Sequence, residues 1–274
     1  MIFILIPLIA AALLFVYLFL VFTERPRGRT EPFEKTLIAH RGLFGESVPE
    51  NSLGAFARAA ERGYGIELDV QLTSDGRLVV FHDASLKRML GVKRKISELT
   101  YKELKEYRFP GTNERVPLFE EVLRTVDGRV PLIIEIKPYG KCEAACRALA
   151  EGLEGYAGVY CVESFDPSAL RWFRKNRPQV VRGQLAQNYF RSRSKLPLWQ
   201  KIAATSLLAN FVGRPSFIAY NHHHRIPLAG RLLKKTGGAT LAAWTVRSEA
   251  ELEEARKTYS VIIFDSFIPS DNKY

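Results

Sequence analysis

The chain is poor in cysteine. It has three, Cys142, Cys146 and Cys161, among 274 residues. So few, and an odd number, do not make a disulfide framework, which fits a reducing compartment. Cys142 and Cys146 stand four apart on an expected helix, but no second pair or nearby His completes a zinc site, so their expected role is packing. Internal repeats and low-complexity tracts are also lacking. Acidic residues are the scarcer sign, 29 Asp and Glu against 40 Lys and Arg, for a net charge of +11. The basic excess is not gathered into one tract, so it does not read as a nucleic-acid surface, and no nucleic-acid partner is expected. Attraction to an anionic bilayer or to phosphate substrates accounts for it.

The longest stretch lacking charge is at the start. Met1 to Phe22 has no charged or strongly polar side chain and is long enough to span a bilayer as a helix. A cleaved signal peptide would want a basic start, a shorter apolar core and small residues at a cleavage site. Here the run begins apolar and ends in bulky Tyr17, Leu18, Phe19 and Leu20. The expectation is an uncleaved, single-pass transmembrane anchor over 1–23, followed by a basic linker over 24–35. Arg25, Arg27, Arg29 and Lys35 all follow the helix, and the positive-inside rule then places the remaining domain, 36–274, on the cytoplasmic face of the cell membrane.

That domain is long enough for one α/β barrel. Extended apolar runs alternate with amphipathic helical ones. The runs are Thr36–Ala39, Ile66–Val70, Leu78–Phe81, Pro131–Lys137, Val159–Glu163, Val180–Leu185, Phe217–Asn221, Thr240–Val246 and Val261–Asp265. Helices are expected over Asn51–Ala60, Ser97–Tyr107, Lys141–Gly152, Pro167–Asn176, Trp199–Ala209, Leu228–Lys235 and Ser248–Lys257. Repeated βα units imply a parallel sheet. Nine extended runs are one too many for an eight-stranded barrel. Only seven residues separate Val70 from Leu78, too few for a parallel crossover, and they contain Asp75-Gly76, a hairpin signal. Leu78–Phe81 should therefore return antiparallel, leaving a (β/α)8 TIM barrel. Residues 87–117 read as a short insertion over its mouth.

Glu67 and Asp69 are two apart on one of these strands, so both side chains face one way. On spacing alone they could be a solvated strand end or a metal site. His40, Arg41, His82, Glu135 and Lys137 fall at neighbouring strand ends, where barrel active sites are built. Three carboxylates suit Ca²⁺ or Mg²⁺ better than zinc. Two histidines can supply a general acid and a general base, and Arg41 and Lys137 supply charge for a phosphate. With no Ser or Cys nucleophile in the set, the chemistry points to phosphodiester cleavage. The run His222-His223-His224 is read as a solvated loop, since consecutive histidines cannot all face one ion. The tract Arg191 to Lys195 is expected to be exposed.

The motifs His40-Arg41-Gly42, Pro49-Glu50-Asn51-Ser52, Glu67-Leu68-Asp69-Val70, His82-Asp83, Glu135-Ile136-Lys137-Pro138, Ser164-Phe165-Asp166 and Trp244-Thr245-Val246 together resemble the glycerophosphodiester phosphodiesterase family. The resemblance runs from Leu37 to Asp265. It implies a barrel related to phosphatidylinositol-specific phospholipases C that hydrolyses glycerophosphodiesters to glycerol 3-phosphate and an alcohol, through attack by a glycerol hydroxyl. It also implies metal binding by Glu67, Asp69 and Glu135, acid/base catalysis by His40 and His82, and phosphate binding by Arg41. Lys137, Phe165 and Trp244 are expected at the substrate, and Glu50 and Asn51 are expected to orient His40 or a metal ligand. Two departures stand out: Arg247 where the family often has Asn, and Phe264-Asp265-Ser266-Phe267 where it commonly has Thr-Asp and a later Pro. The alternatives are a lysophospholipase D acting on membrane lysophospholipids, and a non-catalytic membrane scaffold.

Overall fold

The computed structural model describes residues 2–24, 30–192 and 194–271, with side chains of the N-terminal helix from Leu5 onward. Nine strands form one sheet: β1 (Ile38–His40), β2 (Gly65–Leu72), β3 (Leu78–Val80), β4 (Leu132–Ile136), β5 (Tyr160–Ser164), β6 (Arg182–Ala186), β7 (Phe217–Asn221), β8 (Thr240–Val246) and β9 (Val261–Phe264). The order is β1-β9-β8-β7-β6-β5-β4-β2-β3, and β1 also pairs with β2. That closes eight parallel strands into a barrel. The ninth, β3, runs antiparallel to β2 with Val70 opposite Val80, as the Asp75-Gly76 turn requires.

Alternation along each strand fixes two layers. Outward residues such as Ala39, Leu68, Ile134 and Val162 join the core under the helices, while inward Ile38, Ile133, Cys161 and Ile263 form a separate apolar core inside the barrel. Phe33, from the short helix Glu31–Glu34, joins this inner core. On β1, β2, β4, β5 and β9 the inner row turns ionisable towards its C-terminal end, which is what builds the site.

Several helices match their expected spans, among them Pro167–Asn176 and Leu228–Lys235. The expected helix Trp199–Ala209 breaks instead into Leu198–Thr205 and Asn210–Gly213, with Leu207 between them at φ 61. Ser97–Tyr107 likewise splits into a 3₁₀ turn, Ile96–Glu98, and Tyr101–Leu104, whose N-terminus is capped by the Thr100 side chain. The insertion has a small core of its own, including Leu86, Ile96, Leu104 and Phe109. The crossover from β3 to β4 is the helix Phe119–Val126. Its apolar positions Phe119, Val122, Leu123 and Val126 recur at helical spacing and are all buried, a signal left unread in the sequence. All three cysteines are free, with Cys146 and Cys161 buried.

The transmembrane expectation goes beyond the fold. Among the described residues no helix is long and apolar enough to cross a membrane. The helix Ile2–Val21 has no basic residue in its last turn and no acidic one in its first. The part with described side chains, Leu5 to Val21, rises about 25 Å against a hydrocarbon core of roughly 30 Å. Arginines 25, 27 and 29 of the expected linker lie outside the described residues, and Lys35 pairs with Glu31. The helix is nonetheless seated on the barrel: Asn210 Nδ2 donates to Val21 O, and Arg214 donates to Phe19 O and Phe22 O. Beyond it, the Glu24 carboxylate pairs with buried Arg182.

Candidate active site

The ionisable residues come from the last inward positions of adjacent strands. His40 on β1 lies in register with Glu67 on β2, Asp69 with Glu135 on β4, and Glu135 with Glu163 on β5. Ligand oxygens of Glu67, Asp69 and Glu135 all lie within 4.8 Å of one another, and all three residues are buried. Arg41 and Lys137 enter this cluster: Lys137 Nζ is 2.7 Å from Glu135 Oε1 and 3.2 Å from Asp69 Oδ1, and Arg41 Nε is 3.4 Å from Asp69 Oδ2.

Four buried carboxylates, counting Glu163, thus face two cations. Burial and mutual repulsion push Glu67 and Glu163 well above the usual carboxylate range, and burial raises Glu135 to about 7. Asp69 is buried too, yet Lys137, His82 and Arg41 hold it well below that range. Glu163 Oε2 is buried without a hydrogen-bond partner. A cluster made only of carboxylate oxygens, with two more acids than cations, suits a hard divalent ion.

Each histidine leans on an aspartate. His40 Nδ1 lies 2.7 Å from Asp265 Oδ2, with its Nε2 3.9 Å from Glu67 Oε2. His82 Nδ1 lies 2.7 Å from Asp83 Oδ1. Donation of each Nδ1–H to its carboxylate leaves Nε2 as the basic nitrogen. Burial lowers both histidines from their ordinary value, although the partner aspartates work the other way. The hairpin explains how His82 arrives: Phe81 N bonds Asp69 O, and Gln71 Nε2 donates to Phe81 O and Asp83 O. Tyr139 donates to His82 O at 2.7 Å.

The His40-Arg41-Gly42 turn is built by left-handed backbone. Arg41 has φ 58, which brings its own N–H to 3.1 Å from Glu67 Oε2. Gly42 has φ 79, and a Cβ there would meet Ala55 backbone at 2.9 Å, so only glycine fits. Asn51 donates to Asp69 Oδ2 at 2.8 Å and so touches an expected metal ligand. Glu50 contacts neither His40 nor a carboxylate of the cluster. It accepts from Arg41 at 2.7 Å and from Arg88 at 2.6 Å. Phe165 and Trp244 pack edge to face at 5.6 Å on the wall of a pocket of about 140 Å³ that also includes His40, His82, Glu135 and Lys137. The Lys137 ammonium stands 5.9 Å from the Phe165 ring centre.

Sequence reasoning missed Asp265, Glu163, Asp83 and Arg88 as parts of this site. Asp265 and Glu163 follow the same inward alternation as Glu135, a signal that gives their facing but not their partners. Arg88 donates to Asp83 at 2.6 Å and ties it to Glu50, a link that only the folded insertion makes. Arg247, noted as a departure, donates to Asp265 at 3.0 Å. The His222–His224 run is less solvated than expected. His222 Nε2 bonds Thr245 O at 3.0 Å, Asn188 N donates to His224 Nδ1, and only His223 is exposed. Ligand atoms of His222, His223 and Glu251 also lie within 4.8 Å of one another, away from the carboxylate cluster. Arg191 and Lys195 are exposed as expected.

Among curated proteins, the chain is 44% identical over 158 residues to a glycerophosphodiester phosphodiesterase of Bacillus altitudinis, a match covering 53% of this chain and 63% of that protein. It is 28% identical over 250 residues to a Bacillus subtilis protein named as a glycerophosphodiester phosphodiesterase, covering 87% of this chain and 98% of the other. In three dimensions it resembles an Oleispira antarctica phosphodiesterase determined with its product sn-glycerol-3-phosphate. That likeness has a TM-score of 0.69 at 22% identity over 84% of this chain and 92% of the other, and it speaks for the fold. The family model for glycerophosphoryl diester phosphodiesterases matches residues 40–265. Those limits are the His40–Asp265 pair itself, and they run from the last residue of β1 to just past the end of β9. The chain belongs to the glycerophosphoryl diester phosphodiesterase family.

Proposed function

We propose that this protein hydrolyses glycerophosphodiesters to glycerol 3-phosphate and an alcohol, with a divalent cation, Ca²⁺ or Mg²⁺, held by Glu67, Asp69 and Glu135. The observation that carries the reading is the convergence of three buried carboxylates within 4.8 Å of one another, two cations and two His–Asp pairs on one pocket. When bound, the cation supplies positive charge beside the phosphate oxygens. Arg41 and Lys137 bind and orient the phosphate, their heads already held by Glu50, Asp69 and Glu135. His40 and His82 present Nε2 to the reacting oxygens, one to take a proton and the other to give one. Asp265 and Asp83 fix their tautomers, and Asn51 orients Asp69. Phe165 and Trp244 form an apolar wall for the glycerol carbons.

The test is hydrolysis of glycerophosphocholine with and without EDTA. Glu135→Gln should abolish the EDTA-sensitive activity while the thermal midpoint stays close to wild type. Full activity in that variant rules out the metal assignment.

We also propose that the N-terminal helix attaches the barrel to a membrane. Its Leu5, Ile6, Leu8, Leu13 and Phe15 are all more than half exposed, a surface that water disfavours by roughly 25 cal/mol per Å² of apolar area. The basic residues that follow the helix in sequence, Arg25, Arg27, Arg29 and Lys35, support a cytoplasmic side for the barrel. Protection of the barrel from protease in right-side-out vesicles is the expected result, and digestion there would reverse the topology.

A further inference from the structure

The loop after β7 places two of its three histidines beside the helix Glu249–Arg256. One ligand atom from each of His222, His223 and Glu251 lies within 4.8 Å of the other two. His222 follows directly on the strand, and its backbone N–H donates to Trp244 O on β8 at 3.1 Å. The two imidazole rings lie side by side, with 4.0 Å between centres and 37° between planes. His224 stands outside the group, because its Nδ1 accepts from Asn188 N at 3.2 Å. Glu251 comes from the first turn of the helix, which the Ser248 side chain caps.

The bonding of His222 is that of a metal ligand. Its Nε2 lies 3.0 Å from Thr245 O and 3.3 Å from Glu251 Oε2. The Nε2 hydrogen is committed to these oxygens, and the lone pair falls on Nδ1. Histidines that ligate metals commonly make such a bond from the far nitrogen to a backbone carbonyl. Burial, and after it the neighbouring His223, lower the His222 pKa, which keeps the ring neutral as ligation requires. A cavity of about 270 Å³ opens on His222, with Arg225, Arg231 and Glu254 also on its walls. It gives an ion access and room for a fourth ligand.

We propose that His222, His223 and Glu251 bind Zn²⁺. Two imidazoles and one carboxylate form a borderline donor set, which suits zinc and similar transition ions rather than Ca²⁺ or Mg²⁺. The cluster of Glu67, Asp69 and Glu135 offers oxygen donors alone, so the two centres sort ions by chemistry. The zinc ties the loop after β7 to the helix Glu249–Arg256. At that corner Arg247 donates its backbone N–H to Glu251 Oε2 at 2.7 Å and its Nε–H to Asp265 Oδ1 at 3.0 Å. Zinc therefore fixes the corner from which Arg247 reaches the Asp265–His40 pair. Its binding does not depend on the phosphodiesterase reading above.

Two measurements on the full-length, untagged protein in detergent micelles decide it, both with Ca²⁺ in excess to occupy the carboxylate cluster. Calorimetric titration with Zn²⁺ should show one site per chain. His223→Ala and Glu251→Gln should each weaken it at least tenfold, whereas Glu135→Gln should leave its affinity unchanged. Absence of zinc binding, or equal affinity in His223→Ala and wild type, overturns the proposal. So does loss of the site in Glu135→Gln, which assigns the zinc to the carboxylate cluster. His223 is exposed, and its replacement should leave the thermal midpoint in EDTA at the wild-type value. Independently of any variant, Co²⁺ added to the wild type should give the strong visible absorption of a four-coordinate, imidazole-bound ion. The weak spectrum of a six-coordinate oxygen site, or no spectrum, overturns the proposal.

Discussion

Asp265 gives the sharpest test of how the site works, because it touches His40 rather than the substrate. Its Oδ2 accepts from His40 Nδ1 at 2.7 Å, and its Oδ1 accepts from Arg247 and Ser266 at 3.0 and 2.8 Å. Burial would raise its pKa, but these partners hold it down at about 2, so it is ionised at neutral pH. Asp265→Asn keeps the shape, removes the charge, and lets an amide N–H face Nδ1, which favours the wrong imidazole tautomer. A hydrogen bond to a charged group contributes about 1.5–3 kcal/mol. If that is lost only where His40 moves a proton, kcat falls by roughly 10- to 150-fold at 1.4 kcal/mol per decade. KM should barely change, since Asp265 holds neither phosphate nor metal. The assay is steady-state hydrolysis of glycerophosphocholine at saturating Ca²⁺ or Mg²⁺, with the thermal midpoint recorded for both proteins. Unchanged kcat refutes the orienting role, and a loss matched by a collapse of the midpoint reassigns Asp265 to stability.

Lys137→Ala removes a cation from among the carboxylates, so kcat/KM should drop about a hundredfold through lost phosphate charge while Ca²⁺ affinity by calorimetry rises; weaker Ca²⁺ binding would contradict the charge count. In EDTA the thermal midpoint should fall as pH rises from 5 to 8. The folded protein keeps protons on Glu67 and Glu135, the latter up to about 7, that the unfolded chain releases near pH 4.3, so stability declines through that window. Added Ca²⁺ should cancel the decline, and a midpoint that climbs with pH would contradict it. Gly42→Ala puts a Cβ against Ala55 at 2.9 Å at φ 79, so chemical denaturation should show a loss of more than about 1 kcal/mol. Phe119→Ala empties a buried site on the crossover helix and should cost about 3–5 kcal/mol by the same measurement.

How much of this the sequence carried depended on whether the deciding contact was local. The barrel was legible because periodicity is local: inward and outward residues alternate two by two, and the Asp75-Gly76 turn fixed β3 as antiparallel within seven residues. The carboxylate cluster was legible for the same reason, since Glu67 and Asp69 share a strand and Glu135 repeats their pattern on the next. Asp265 escaped because its partner is 225 residues away, and only closure of β9 onto β1 makes them neighbours. Glu50 was placed against the wrong partner because Arg88, which claims it, belongs to an insertion with its own small core. The break at Leu207 was hidden too: nothing in Trp199–Ala209 forbids a continuous helix. In the fold the chain turns at φ 61 so that Asn210 and Arg214 can reach the backbone of the N-terminal helix. That same turn leaves Leu207, Phe211 and Leu20 lining one apolar space. A tertiary contact that overrides local propensity is therefore what shapes that space against the N-terminal helix.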